Sequence, residues 1–417
     1  MFKNLEYLGS ASDIGNLNTS NVKDMSGMFY NTSSYSRLAN LDMNLSSWNT
    51  SNVEDMSTLF SKFAYKQFHI GDLSNWNTSS VKDMSYMFYN SANGTSDWNI
   101  GNLKNWDVSN VINMSHMFSH CAEYAESWSI GDISHWNISN VKIIDNMFWS
   151  AGVNSNTFSI DVSNWDVSHI TNLNNLFSCS GRYSTSWSIG DLSNWDVSNI
   201  TNMESLFSST GENDPNWSVG DLSNWNTSNV TNMHGLFSST GKKVENYSLN
   251  ISNWNTSKVT DMAAMFAYSG HSAKTYAIDV SNWDVSNVED IRSMFAEVGY
   301  NAHTWSIGDL SNWDTSKMSN MSNVFSYIAA NARETKNLGT LKVYSTNTSD
   351  MFNGASRINL ILNLYNNPTD YSYMFRGAVM SDDMGIVVNY TNEVTNINAI
   401  INTKSPSSHV TKGELIE

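Results

Sequence analysis

Three sets of residues have the types and spacing to do chemistry. His116, His120 and Cys121 stand close enough in sequence to ligate a metal, although no clear fourth ligand accompanies them. Asp72, Asp132, Asp161, Asp191, Asp221, Asp279 and Asp309 recur in one register, and carboxylates stacked in a column repel unless each is hydrogen-bonded or a cation such as calcium sits between them. The third set brackets a recurring tryptophan. Asn75, Asn105, Asn164, Asn194 and Asn224 precede it, and Asp107, Asp166, Asp196, Asp284 and Asp314 follow it. Amides and carboxylates repeated in this way suit multivalent hydrogen bonding to carbohydrate hydroxyls or to the backbone of a protein partner. They equally suit plain solvation of a sheet and protection of its edges. No serine or cysteine is set apart beside a base, the histidines scatter, and no glycine-rich phosphate loop occurs, so neither an enzyme nor a cofactor site is expected.

The element that must position these residues is a repeat. Trp48, Trp76, Trp106, Trp136, Trp165, Trp195, Trp225, Trp254, Trp283 and Trp313 follow one another at 28 to 30 residues, and each has a phenylalanine twelve positions later. Units of this length stack on copies of themselves, and the surface becomes columns of equivalent residues. Any function should then lie in those columns or where the copies disagree.

Within a copy, an aliphatic residue stands three before the tryptophan (Leu73, Leu103, Ile133) and a β-branched one two after it (Val108, Val167, Thr78). Period-two alternation from the tryptophan onward reads as a short strand with Trp and Val/Thr inward and their neighbours outward. Such strands stack in parallel at roughly 4.8 Å per rung. A second apolar group follows, for example Val111, Met114, Met117 and Phe118, and its last three members have helical spacing. Asn113, Asn202, Asn232, Asp261 and Asp290 precede it as N-caps, with Ile143 the exception. The expectation is an α/β repeat solenoid, leucine-rich-repeat-like, with one short parallel β-strand plus a short helix per rung of about thirty residues.

The columns read structurally as well as functionally. Serine stands three after all ten tryptophans, Ser51 through Ser316, where its chemistry is that of a turn. The acidic column divides between Asx turns and calcium, with only Asp and Ser at hand as ligands. The tryptophan and phenylalanine columns are core. A second aromatic column, Phe68, Trp98, Trp128, Phe158, Trp187, Trp217, Tyr247, Tyr276 and Trp305, either closes the core or forms an exposed strip that stacks on sugars. The loops after each phenylalanine, such as 208–216, differ between copies and are candidates for recognition.

With 22 Lys and Arg against 39 Asp and Glu, the net charge is −17. Phosphate binding needs a basic stripe, and the sequence shows no cluster of Lys or Arg, so nucleic acid and anionic membranes are disfavoured. No run has the length of a membrane span, and 1–5 lack a signal-peptide core, so membrane insertion is not expected. Cys121 and Cys179 lie about two rungs apart, too far for a disulfide in regular stacking. The expected organisation is a capping rung over 1–40, a ten-repeat solenoid over 41–334, and shorter rungs with a C-terminal cap over 335–417. Leu17, in the tryptophan slot, belongs to the first of these and Pro406 to the last.

The unit Trp195-Asp-Val-Ser-Asn-Ile-Thr-Asn-Met-Glu-Ser-Leu-Phe207 resembles the Trp-Asp-Val-Ser-Asn-Val-Thr-Asn-Met repeat of the BspA-like leucine-rich-repeat surface proteins of mycoplasmas and Firmicutes. The resemblance covers about 14 to 375, although the copies here exceed that family's unit of about 25 residues. It implies a non-catalytic extracellular or cell-surface adhesion protein. A host glycan or surface glycoprotein is the expected partner, bound through the strand-face columns and variable loops. A structural component, such as a virion fibre or filament subunit, is the alternative.

Overall fold

The computed structural model of the chain describes residues 3–4, 12–32, 41–63, 68–96, 98–379, 385–404 and 409–417. Pro406 and the side chain of Phe68 lie outside what is described, as do Met1, Phe2 and Leu5. Two compact units are present, one formed by Met1–Ile200 with Ser209–Gly220, the other by Thr201–Ser208 with Asp221–Glu417. Each is a parallel β-solenoid in which a residue pairs with its own counterpart one copy along.

In the first unit, strands β1 (Leu41–Asp42) and β2 (Phe68–His69) pair in parallel, as do β3 (Thr157–Ser159) and β4 (Ser186–Ser188). A second line of parallel bridges links Asp24, Asp55, Asp83, Asn113 and Ile143. In the second unit, β5 (Asn246–Ser248), β6 (Thr275–Ala277) and β7 (Thr304–Ser306) form one sheet. The longer β8 (Lys336–Val343), β9 (Ile358–Leu364), β10 (Ile386–Tyr390) and β11 (Val410–Leu415) form another, with helix α1 (Ile397–Ile401) between the last two strands. Bridges there connect Asn202, Asn232, Asp261, Asp290, Asn320, Asn347 and Asp370, so the step shortens to 23 residues at the end.

Aromatic ladders fill both cores. Trp48, Trp76, Trp106, Trp136 and Trp165 stack with centroids 6.3–6.4 Å apart, and Trp225, Trp254 and Trp283 do so at 6.1–6.4 Å. Phenylalanines run alongside, as in Phe88, Phe118 and Phe148 at 5.5 and 5.7 Å. Tryptophan has a second duty that sequence reading missed. Its Nε1 donates to a backbone carbonyl of the preceding copy, Trp106 to Leu73 at 2.9 Å, Trp136 to Leu103 at 3.1 Å and Trp283 to Ile251 at 3.1 Å. A buried indole N–H needs such a partner, and the bond sets the register between copies.

Two expectations need correction. The strand does not sit at the tryptophan. Trp106, Asp107 and Val108 alternate buried, exposed and buried as expected, but the amides around them close turns, Trp106 to Leu103 and Val111 to Val108. The laddered strands lie at the second aromatic column, where Phe158, Trp187, Tyr247, Tyr276 and Trp305 are buried between outward neighbours, which places that column in the core.

Nor does the Met/Leu-Phe segment form a helix. Its amides alternate: Met117, Ser119 and Cys121 donate three residues back within the copy, whereas Met114, His116, Phe118 and His120 donate to Ile143, Asp145, Met147 and Trp149 of the next. A helix would spend every amide on its own carbonyls and leave none for stacking. Consecutive turns keep Met114, Met117 and Phe118 inward and still tie the copies together. The turns require left-handed residues, such as His116 (φ 56°) and His120 (φ 54°). The proposed caps are real side-chain acceptors of a different kind: Asn113, Asn202, Asn232, Asp261 and Asp290 each accept from the amide two residues on, which is an Asx turn.

Candidate functional site

The residues flanking each tryptophan are held outward because the indole between them is pinned inward by its ring stack and its Nε1 bond. Asn75, Asn105, Asn164, Asn194 and Asn224 are exposed, and their side-chain amides make no hydrogen bond within the described residues. Asp107, Asp166, Asp196, Asp284 and Asp314 are also exposed, but one oxygen of each accepts from the backbone N–H of the serine two residues on, at 3.0 Å in every case. The serine hydroxyl and that amide hold each of these carboxyls below the usual carboxylate range. The two columns thus differ: the asparagines are unengaged donors and acceptors, and the aspartates are half-committed to turns.

The serine column is thereby explained. Where asparagine follows the serine, its amide reaches back to the serine carbonyl of the preceding copy, Asn110 to Ser79 at 2.8 Å and Asn140 to Ser109 at 2.7 Å.

The acidic column is built from the same turn. Asp72, Asp132, Asp161, Asp191, Asp221, Asp279 and Asp309 each accept the amide two residues on, at 2.8–3.0 Å. Asp132 and Asp161 line an open groove of about 560 Å³ with Ser129, Ser159 and Ser188. The described residues hold no group of three or more His, Cys, Asp or Glu side chains placed to grip a metal.

His116, His120 and Cys121 do not converge. Cys121 faces the core, its sulfur accepting from Trp128 Nε1 at 3.4 Å, and burial pushes its thiol up to about 12. The two histidines instead join a surface cluster of rings that sequence reading passed over. Tyr86 stacks on His116 at 4.4 Å and Trp149 lies 4.4 Å from His120, with Tyr89 edge-on to both histidines at 5.9 Å. Burial lowers the His116 pKa and raises that of Tyr86.

The absence of a basic cluster also needs correction. A groove of about 710 Å³ in the first unit gathers Lys23, Lys82 and Lys142 with Glu54, Asn110 and Ile112. Glu54 pairs with Lys82 at 2.7 Å and with Lys23 at 3.5 Å. These lysines are remote in sequence, but each lies six residues after the tryptophan slot of its copy, and counting by register rather than by neighbourhood would have found them.

Five overlapping stretches, residues 1–125, 94–189, 124–220, 212–306 and 297–411, match a family described as "Mycoplasma protein of unknown function, DUF285". No curated protein and no solved structure matches the chain.

Proposed function

We propose that this chain, which belongs to the DUF285 family of mycoplasma proteins, is a non-catalytic recognition protein of the BspA-like surface type that binds a host glycan or glycoprotein along its asparagine column. The observation that carries the reading is the set of exposed and unengaged amides Asn75, Asn105, Asn164 and Asn194 in the first unit, interrupted by His135, with Asn224 in the same register of the second; within each unit the backbone is hydrogen-bonded from copy to copy. Each amide offers a donor pair and an acceptor, the complement of a sugar hydroxyl. A single such bond contributes about 0.5–1.5 kcal/mol net. A row of them on a backbone already ordered adds at the cost of side-chain ordering alone, which favours an extended, repetitive ligand. Asp107, Asp166 and Asp196, each with one oxygen committed to its turn, supply further acceptors beside the row.

A surface or secreted location follows from such a ligand. The described residues contain no helix long and apolar enough to cross a membrane. The test is a glycan array probed with the native chain and with a variant carrying Asn→Ala at 75, 105, 164, 194 and 224. Specific binding by the native chain that the variant loses supports the reading; no binding, or equal binding by both, refutes it.

A further inference from the structure

The geometry points to a second contact for the same class of ligand: the rings of Tyr86, Tyr89, His116, His120 and Trp149 form a platform on which the C–H face of a pyranose stacks. This inference rests on the glycan-binding reading but uses other residues. All five rings are half-buried, and they touch one another across three successive copies rather than packing into the core.

The fold does not need them. Thirteen residues after the tryptophan, where Tyr89 and Trp149 stand, the other copies carry Ser61, Ser119, Ser178, Ser208, Ser238, Ala267, Ala296 and Ser326. Ten residues after it, where Tyr86 stands, the chain is left-handed in every copy, and Asn146, Asn175, Gly235 and Asn323 are residues suited to that conformation. Thr58, Ser205, Ala264 and Ser293 adopt the same conformation in other copies, so the backbone at Tyr86 (φ 55°) belongs to the fold and the ring is what this copy adds.

Unpartnered polar atoms fall in the same place. His116 Nδ1 and Ser119 Oγ are buried and have no hydrogen-bond partner, which departs from the rule for buried polar groups. Glu123, hydrogen-bonded to His120 Nδ1, and Asp145, beside Tyr86 and His116, supply carboxylate acceptors. Half-buried aromatic rings beside acceptors suit a neutral sugar, which presents C–H groups on one side and hydroxyl donors at its edge. The two carboxylates disfavour an anion, and the inward Cys121 removes a metal ligand.

The test is saturation-transfer NMR on the full chain with free galactose, glucose, mannose, N-acetylglucosamine and N-acetylgalactosamine. At least one sugar should take saturation on its ring C–H protons and shift the imidazole resonances of His116 and His120. Trp149→Ser, Tyr89→Ser and Tyr86→Asn each import a residue that other copies hold in that register, so melting temperatures should stay near native while binding weakens by about tenfold or more, as for loss of an aromatic anchor. No saturated sugar, unmoved imidazoles, or undiminished binding in the variants overturns the platform. If the variants keep the glycan-array signal and the Asn→Ala chain loses it, the platform falls and the asparagine column stands; the converse pattern removes the column and leaves the platform.

Discussion

Replacing Trp136 by phenylalanine isolates what the indole contributes beyond bulk. The ring stacks between Trp106 and Trp165 at 6.4 Å on either side, and its Nε1 donates to Leu103 O at 3.1 Å. Phenylalanine keeps an aromatic in the column but loses the donor. The Leu103 carbonyl retains a second partner, the Trp106 amide at 3.0 Å, so the lost bond costs about 1 kcal/mol rather than a full desolvation penalty. The smaller ring leaves a void worth about another 1–2 kcal/mol. The sum, roughly 2–3 kcal/mol, should appear as a lower urea midpoint. Because each copy is stabilised chiefly by its neighbours, accelerated amide exchange should concentrate in the copies of Trp106, Trp136 and Trp165. A loss under about 0.5 kcal/mol, typical of an uninvolved surface site, or exchange that rises evenly along the chain, would refute the role given to the indole.

Three further outcomes are expected. The lowered pKa values of Asp107, Asp166, Asp196, Asp284 and Asp314 mean stability that is fully present above the unfolded carboxyl value and is lost as pH falls through the folded one; Asp→Asn at these positions, which preserves the turn as Asn77 and Asn137 do, should flatten the acid limb of melting temperature against pH. His234 has its pKa raised by a hydrogen bond to Asp261, so its contribution is complete below the unfolded histidine value and disappears as pH rises through the folded one; His234→Gln should remove that slope near neutral pH in the same melts. Gly101 adopts φ 86°, and a Cβ there would collide with the Asp72 carboxylate already fixed to Ser74, so Gly101→Ala should destabilise by about 1–3 kcal/mol in urea titration.

Much of the fold was readable because the repeat writes each buried position many times. The inward Trp106 and Val108, the outward Asn105 and Asp107, and the core phenylalanines all stand where alternation places them. The helix was misread because spacings of three and four are shared by helices and by chained turns, and Met114, Met117 and Phe118 satisfy both; side-chain period alone does not report where the amides go. The strand was misplaced for a related reason, since alternation at Trp106 exists without a ladder while the ladder runs through Phe158 and Trp187.

In the candidate site, exposure of both flanking columns was legible. That Asp107 is tied into a turn while Asn105 is not follows from the serine two residues after the aspartate, which reads as a turn residue in sequence but whose amide is joined to the carboxylate only in the fold. The lysine groove and the ring platform stayed hidden because Lys82 and Lys142, or Tyr89 and Trp149, are sixty residues apart and meet only through the register of the stack.

The decisive measurement is the separation of counterpart residues in solution. Spin labels on cysteines replacing Asn75 and Asn105, in a chain with Cys121 and Cys179 changed to alanine, should lie one rung apart, with backbones about 5 Å from each other, and give strong dipolar broadening in the continuous-wave spectrum. Narrow lines from a folded chain would mean that residues thirty apart do not stack, and the columns on which the proposed recognition rests would not exist.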